Sequence, residues 1–194
     1  MSRRISVDGW RLAVGTLTAI PVRPPRQVDG ATARWSVVLA PWAVLPLGAV
    51  VFAVASLAWA GWVSPWVTGV LAVGALALGS RGMHLDGLSD TADGLASGFD
   101  AERSLQVMRS GAAGPAGVAT TVVVLGAQAM AMVGLSTSWR GAVLAGVLVC
   151  VSRGALLLCC LSGVPGGRTG GLGQTFSGVV PVGLAVLLGA VLLA

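Results

Sequence analysis

Residues 37–60 read VVLAPWAVLPLGAVVFAVASLAWA, twenty-four positions without a charge. At 1.5 Å rise per residue this is roughly 36 Å of helix, enough for a hydrocarbon core of about 30 Å with some tilt. Pro41 and Pro46 fall in its first half, where they predict a kink of the kind bilayer helices tolerate when neighbours satisfy the freed carbonyls. A second apolar run, 63–80, follows so closely that the two must form a tight hairpin. Trp59, Trp62 and Trp66 gather at that hairpin, as an aromatic belt at a membrane interface would place them.

Further runs lie at 116–135, at 141–163 with Arg153 near its middle, and at 178–194. Towards the N-terminus, Trp10 to Val22 is too short to span and reads as an interfacial or re-entrant segment. With 55% hydrophobic and 10% charged residues and a mean hydropathy of +0.88, the chain falls outside the soluble range. The expectation is an all-α, polytopic integral membrane protein of about five transmembrane helices, one domain over 1–194.

All twelve basic residues are arginine, and all but Arg153 lie outside the long apolar runs. Topology and anionic headgroups therefore account for a sequence pI near 11.0, and no nucleic-acid partner is implied. Five spans put 1–34, 81–115 and 164–177 on one side, with ten arginines, against Arg140 alone on the other. That asymmetry places the N-terminus and the 81–115 loop in the cytoplasm. Cys150, Cys159 and Cys160 lie in an apolar segment without metal or disulfide spacing and read as packing residues.

Chemistry concentrates in one place. HLDGLSDTADGL, residues 84–95, holds the single histidine and three of the seven acids, and Asp100 and Glu102 follow at once. If the stretch is helical, Asp86, Asp90 and Asp93 stand at about 0°, 40° and −20° around the axis, on one face. Three hard oxygen donors without cysteine suit Mg²⁺, with Mn²⁺ as a substitute, rather than zinc. Mg²⁺ keeps positions for substrate phosphate oxygens, so a diphosphate substrate is implied.

His84 suits a general base or a group that holds Asp86 in place. Gly87 and Gly94 are poor helix residues, and they permit close approach of a ligand or a neighbouring helix. Arg109 and Arg103, on a short helix-like stretch from Ala101 to Ser110, suit either neutralising phosphate or anchoring the cytoplasmic side. Arg153, a charge deep in an apolar run, calls for a polar partner, and an anionic ligand is the favoured one. The glycine-rich segments 111–117 and 166–173 offer backbone N–H groups to phosphate, or simply flexible connections.

The stretch 84–95 closely resembles the HLDGLADT-x-DG signature of the cobalamin (5′-phosphate) synthase family, the adenosylcobinamide-GDP ribazoletransferases. Weaker likenesses follow in the same order: Thr18-Ala19-Ile20-Pro21, Val151-Ser152-Arg153 and Gly171-Leu172-Gly173. The resemblance implies a multi-pass enzyme of the cytoplasmic (inner) membrane that joins α-ribazole or its 5′-phosphate to adenosylcobinamide-GDP, releasing GMP, with Mg²⁺. It assigns catalysis to His84, Asp86, Asp90 and Asp93, the three aspartates also holding metal. Arg109, Arg153, Gly87 and Gly94 are then substrate-binding residues. A homo-oligomer and contacts with pathway enzymes are left open.

Two departures stand out. The family carries an acid after its Met-Arg, where this chain has Ser110-Gly111-Ala112-Ala113-Gly114. It also continues past a further G-G-x-T-G-D-type motif, so 1–194 reads as a transferase domain lacking the C-terminal part. A CDP-alcohol phosphatidyltransferase-like enzyme is the alternative. Its D-G-x-x-A-R pattern is not matched by Leu88-Ser89-Asp90-Thr91 after Asp86-Gly87. An inactive scaffold or transporter fragment is the non-enzymatic alternative.

Overall fold

Asp29 starts the first long apolar helix. Its carboxylate accepts the Thr32 N–H at 2.8 Å, an N-cap that lets the helix begin seven residues before the charge-free run. The computed structural model describes residues 2–98, 100–164, 166 and 172–193, and Asp100 caps a second helix in the same way. The helices are α1 (Ser2–Leu17), α2 (Gly30–Ala43), α3 (Leu45–Trp59), α4 (Pro65–Gly79), α5 (Met83–Ala96), α6 (Ala101–Val107), α7 (Pro115–Leu135), α8 (Trp139–Val151), α9 (Ala155–Cys159), α10 (Leu172–Phe176) and α11 (Val182–Leu193). A 3₁₀ turn, Ser152–Gly154, joins α8 to α9. The only extended pairing among the described residues is an isolated bridge between Leu161 and Val180.

The all-helical expectation holds. Among the described residues three helices are long and apolar enough to cross a membrane: Gly30–Trp59, Pro115–Leu135 and Trp139–Cys159. The run expected at 63–80 gives the fifteen-residue α4, and it passes only together with α5, from which it is bent by 92°. The last run forms a shorter helix. The helices thus number three spans, or four with the bent pair, where the apolar runs alone suggest five. The difference arises because hydropathy registers composition and is blind to where a helix stops.

The chain divides into two compact units, 1–50 with 144–194, and 51–143. In the first, α1 packs along α2, burying Leu12, Ala13, Val14 and Leu17. The first part of the run expected at the interface, Trp10 to Leu17, is the end of a sixteen-residue helix. Gly9 permits the approach, since a Cβ there would meet the Trp35 Cβ at 2.5 Å. Thr18 ends α1 with its hydroxyl on the Val14 carbonyl at 2.8 Å. Helix α2 gives way to α3 at Val44, where Pro46 has no N–H to offer the preceding turn, and the two run on as one apolar stretch, Gly30–Trp59. A core of Ala33, Val37, Leu157, Cys160, Val179, Val180 and Ala185 joins α2, α9 and α11. The Arg34 Nε donates to the Val179 carbonyl at 2.6 Å.

In the second unit α4 packs on α7, with Gly69 against the Ala129 carbonyl. Small residues let apolar helices approach where no hydrophobic effect drives them together. Trp59, Trp62 and Trp66 are all exposed at the α3–α4 turn, as the aromatic-belt reading expects.

Asp29 offers a test of the capping argument. The Thr32 backbone N–H holds its carboxyl below the ordinary 3.8. A depressed folded-state value stabilises above the ordinary pKa, and the contribution is lost as pH falls through the lowered value. Thermal unfolding in detergent is expected to lose an acid-dependent increment in Asp29→Asn, which keeps the capping oxygen without the charge. An unchanged acid limb would refute it.

Candidate active site

The acidic stretch is helical, and it is presented by a sharp turn. After α4, Arg81 (φ 56°) and Gly82 (φ 70°) adopt the left-handed conformation in succession. The Gly82 N–H reaches back to the Ala77 carbonyl at 2.8 Å, closing the end of α4, and Gly82 then caps α5. Left-handed backbone is disfavoured for a side chain such as arginine and free for glycine. The turn re-aims the chain by 92° within three residues.

Between α5 and α7 lies an open groove of about 770 Å³. Asp86 and Ser89 line it from α5, Arg81 and Gly82 from the bend, and Val118, Thr121 and Val122 from α7. The hydroxyl oxygens of Ser89 and Thr121 are buried and have no hydrogen-bond partner among the described residues. Buried polar atoms are ordinarily paired, so each marks a place for water or a ligand group. Sequence reasoning passed over both. The available signal was the Thr120-Thr121 pair, two hydroxyls one turn inside an otherwise apolar run.

The expected three-carboxylate cluster is not assembled. Asp86 is exposed and Asp90 half-buried, but Asp93 is buried at 8% exposure. Its Oδ2 accepts the Gly114 N–H at 2.7 Å and its Oδ1 the Gly117 N–H at 2.8 Å. Among the described residues no three His, Cys, Asp or Glu side chains are placed to hold one ion. The helical face is as drawn from the sequence, but the start of α7 occupies its far end.

The other candidates fall in different places. His84 is exposed on the first turn of α5. Gly87 faces open space, whereas a Cβ on Gly94 would meet the Met108 Cγ at 2.7 Å, so Gly94 serves the packing of α6 on α5. Arg109 and Arg103 line a separate depression of about 350 Å³ beside α6, together with Asp100 and Glu102. Arg153 belongs to the first unit, half-buried on the 3₁₀ turn. The N–H groups of Gly114 and Gly117 are directed at Asp93 and not at a phosphate. The segment 166–173 lies largely outside the described residues, as 165 and 167–171 do.

Compared with known proteins, residues 9–194 match the family described as Cobalamin-5-phosphate synthase. The chain belongs to this family. The adenosylcobinamide-GDP ribazoletransferase of Nocardioides sp. (strain ATCC BAA-499 / JS614) is 55% identical over 185 residues, 95% of this chain and 80% of that protein. The enzyme of the same name from Frankia casuarinae is 34% identical over 180 residues, 88% of this chain and 64% of its own length. That from Bradyrhizobium diazoefficiens is 31% identical over 189 residues, 94% of this chain and 71% of its own. No solved structure matches. The cobalamin-5-phosphate synthase match, spanning both units, sets aside the CDP-alcohol alternative.

Proposed function

We infer that this chain is an adenosylcobinamide-GDP ribazoletransferase acting in a late step of cobalamin synthesis. It moves the adenosylcobinamide phosphate moiety onto α-ribazole or α-ribazole 5′-phosphate. The alcohol oxygen of the acceptor forms a bond to the cobinamide-linked phosphorus, the bond to the GMP oxygen breaks, and GMP leaves. The observation that carries the reading is membership of the family over 9–194, with its acidic signature on a helix that walls an open groove.

The donor set fits a hard divalent ion. Asp86 and Asp90 stand one turn apart on α5, and Mg²⁺ is commonly held by one or two carboxylates with the remaining positions left to water and phosphate. Mg²⁺, or Mn²⁺ in its place, would there neutralise the diphosphate charge. The protein's own part is mainly positioning, which supplies most of the catalysis in phosphoryl transfer. Ser89 and Thr121 offer hydroxyls inside the groove, and His84 would accept the alcohol proton or orient Asp86. Arg109 serves as an anion contact, and Gly87 leaves its side of α5 open to substrate.

We place the chain in the cytoplasmic (inner) membrane; with the bent α4–α5 pair counted as a crossing, the arginine distribution supports an N-terminus and acidic stretch on the cytoplasmic side. A cysteine at position 100, with Cys150, Cys159 and Cys160 replaced, should resist an impermeant reagent outside intact cells. Ready labelling would invert the orientation.

Complementation tests the function. Cells lacking their own ribazoletransferase and supplied with cobinamide are expected to grow with this chain. They should not grow with the Asp86/Asp90/Asp93→Ala variant. Failure of both proteins at normal membrane levels would sink the reading.

A further inference from the structure

Asp93 makes contacts that a metal ligand has no use for. Gly114 is the N-cap of α7 and has no side chain to close the helix. In a capping box, the N-cap side chain accepts the N3 N–H and an N3 side chain accepts the N-cap N–H. Asp93 does both from another helix, one oxygen on Gly117 (N3) and the other on Gly114 (N-cap). The approach requires glycine at both positions: a Cβ on Gly114 would lie 2.5 Å from the Asp93 Oδ1, and one on Gly117 would collide with Asp93 and Ser89.

We propose that Asp93 is a positioning residue, a latch that fixes the rotation of α5 against the start of α7 and so sets the two walls of the groove. Asp86 and Asp90 then hold the metal without it. Ser89 stands one turn before Asp93 on the same stripe and Asp86 one further turn, so any roll of α5 carries both away from Thr121. The negative carboxylate also sits at the positive end of a twenty-one-residue helix, which favours the docked state. The catalytic consequence rests on the transferase reading above.

The test compares Asp93→Asn, Gly117→Ala and Asp86→Asn in detergent-purified protein by three measurements. These are steady-state GMP release, Mn²⁺ affinity by electron paramagnetic resonance, and amide hydrogen exchange over 112–118. Asparagine puts an NH₂ against one of the two N–H donors. Asp93→Asn should therefore speed exchange and lower kcat by about 10²-fold, the scale of a 1 Å misplacement. KM for adenosylcobinamide-GDP and Mn²⁺ affinity should stay near wild type. Gly117→Ala, which alters no ionisable group, should reproduce that pattern, and Asp86→Asn should instead weaken Mn²⁺.

If Asp93→Asn weakens Mn²⁺ as Asp86→Asn does, and Gly117→Ala leaves exchange and turnover intact, Asp93 is a metal ligand and the latch is overturned. Should the wild type release no GMP, the transferase reading fails, and the exchange arm still decides. Unchanged exchange in Asp93→Asn would then refute the latch.

Discussion

Asp86→Ala and Asp90→Ala should each lower GMP release from adenosylcobinamide-GDP by on the order of 10³-fold or more, with the protein still inserted at normal levels. The size follows from the charge at stake. Compensation of developing phosphoryl charge by a bound divalent ion is worth several kcal/mol, and each factor of ten in rate corresponds to about 1.4 kcal/mol. Folding should be spared, because alanine is the better helix former and the N-cap of α5 is Gly82, not a carboxylate. GMP release by the purified variants over a Mg²⁺ titration measures the effect. Turnover within tenfold of wild type in either variant would remove the metal proposal at that residue while leaving family membership untouched.

The apolar runs at 37–60, 116–135 and 141–163 were legible because a charge-free stretch has few other uses, and helices occupy all three. Their ends were not, because ends depend on single hydrogen bonds: Asp29 moved the first start back to Gly30. The segment 81–115 reads as a polar loop with a conditional helix over the aspartates and a short helix-like stretch over 101–110, and α5 and α6 stand at those places. What the sequence hid was the bend at Arg81 and Gly82, since one glycine beside an arginine does not announce two left-handed residues. The acidic face followed correctly from a 100° step per residue. A helical wheel, however, describes one helix in isolation, and Asp93 was claimed by a helix beginning some twenty residues later. The glycines of 111–117 carried the missing signal, their lack of side chains leaving room for a carboxylate.

That vacancy gives the sharpest stability test. Asp93→Ala should destabilise by about 3–6 kcal/mol, since it removes two hydrogen bonds to a charged group, each contributing about 1.5–3 kcal/mol, and leaves their donors unpaired. Gly114→Ser in the wild type should also destabilise, by about 1–3 kcal/mol, because its Cβ meets the carboxylate in a filled site. In the Asp93→Ala background the sign should reverse. The space is then empty, and the extended backbone of Gly114 (φ −86°, ψ 174°) is that of an ordinary N-cap. A serine hydroxyl can accept the Gly117 N–H locally, for a gain of a few tenths to about 1 kcal/mol. Two residues in contact through one site are expected to couple by about 0.5–3 kcal/mol, and the four-variant cycle in thermal or denaturant unfolding reads that energy directly. Additive effects would mean that Asp93 and Gly114 do not share the site. Stability partly regained with no turnover regained would separate the two jobs: a serine can close α7, but it cannot tie α7 to α5, and the groove needs that tie.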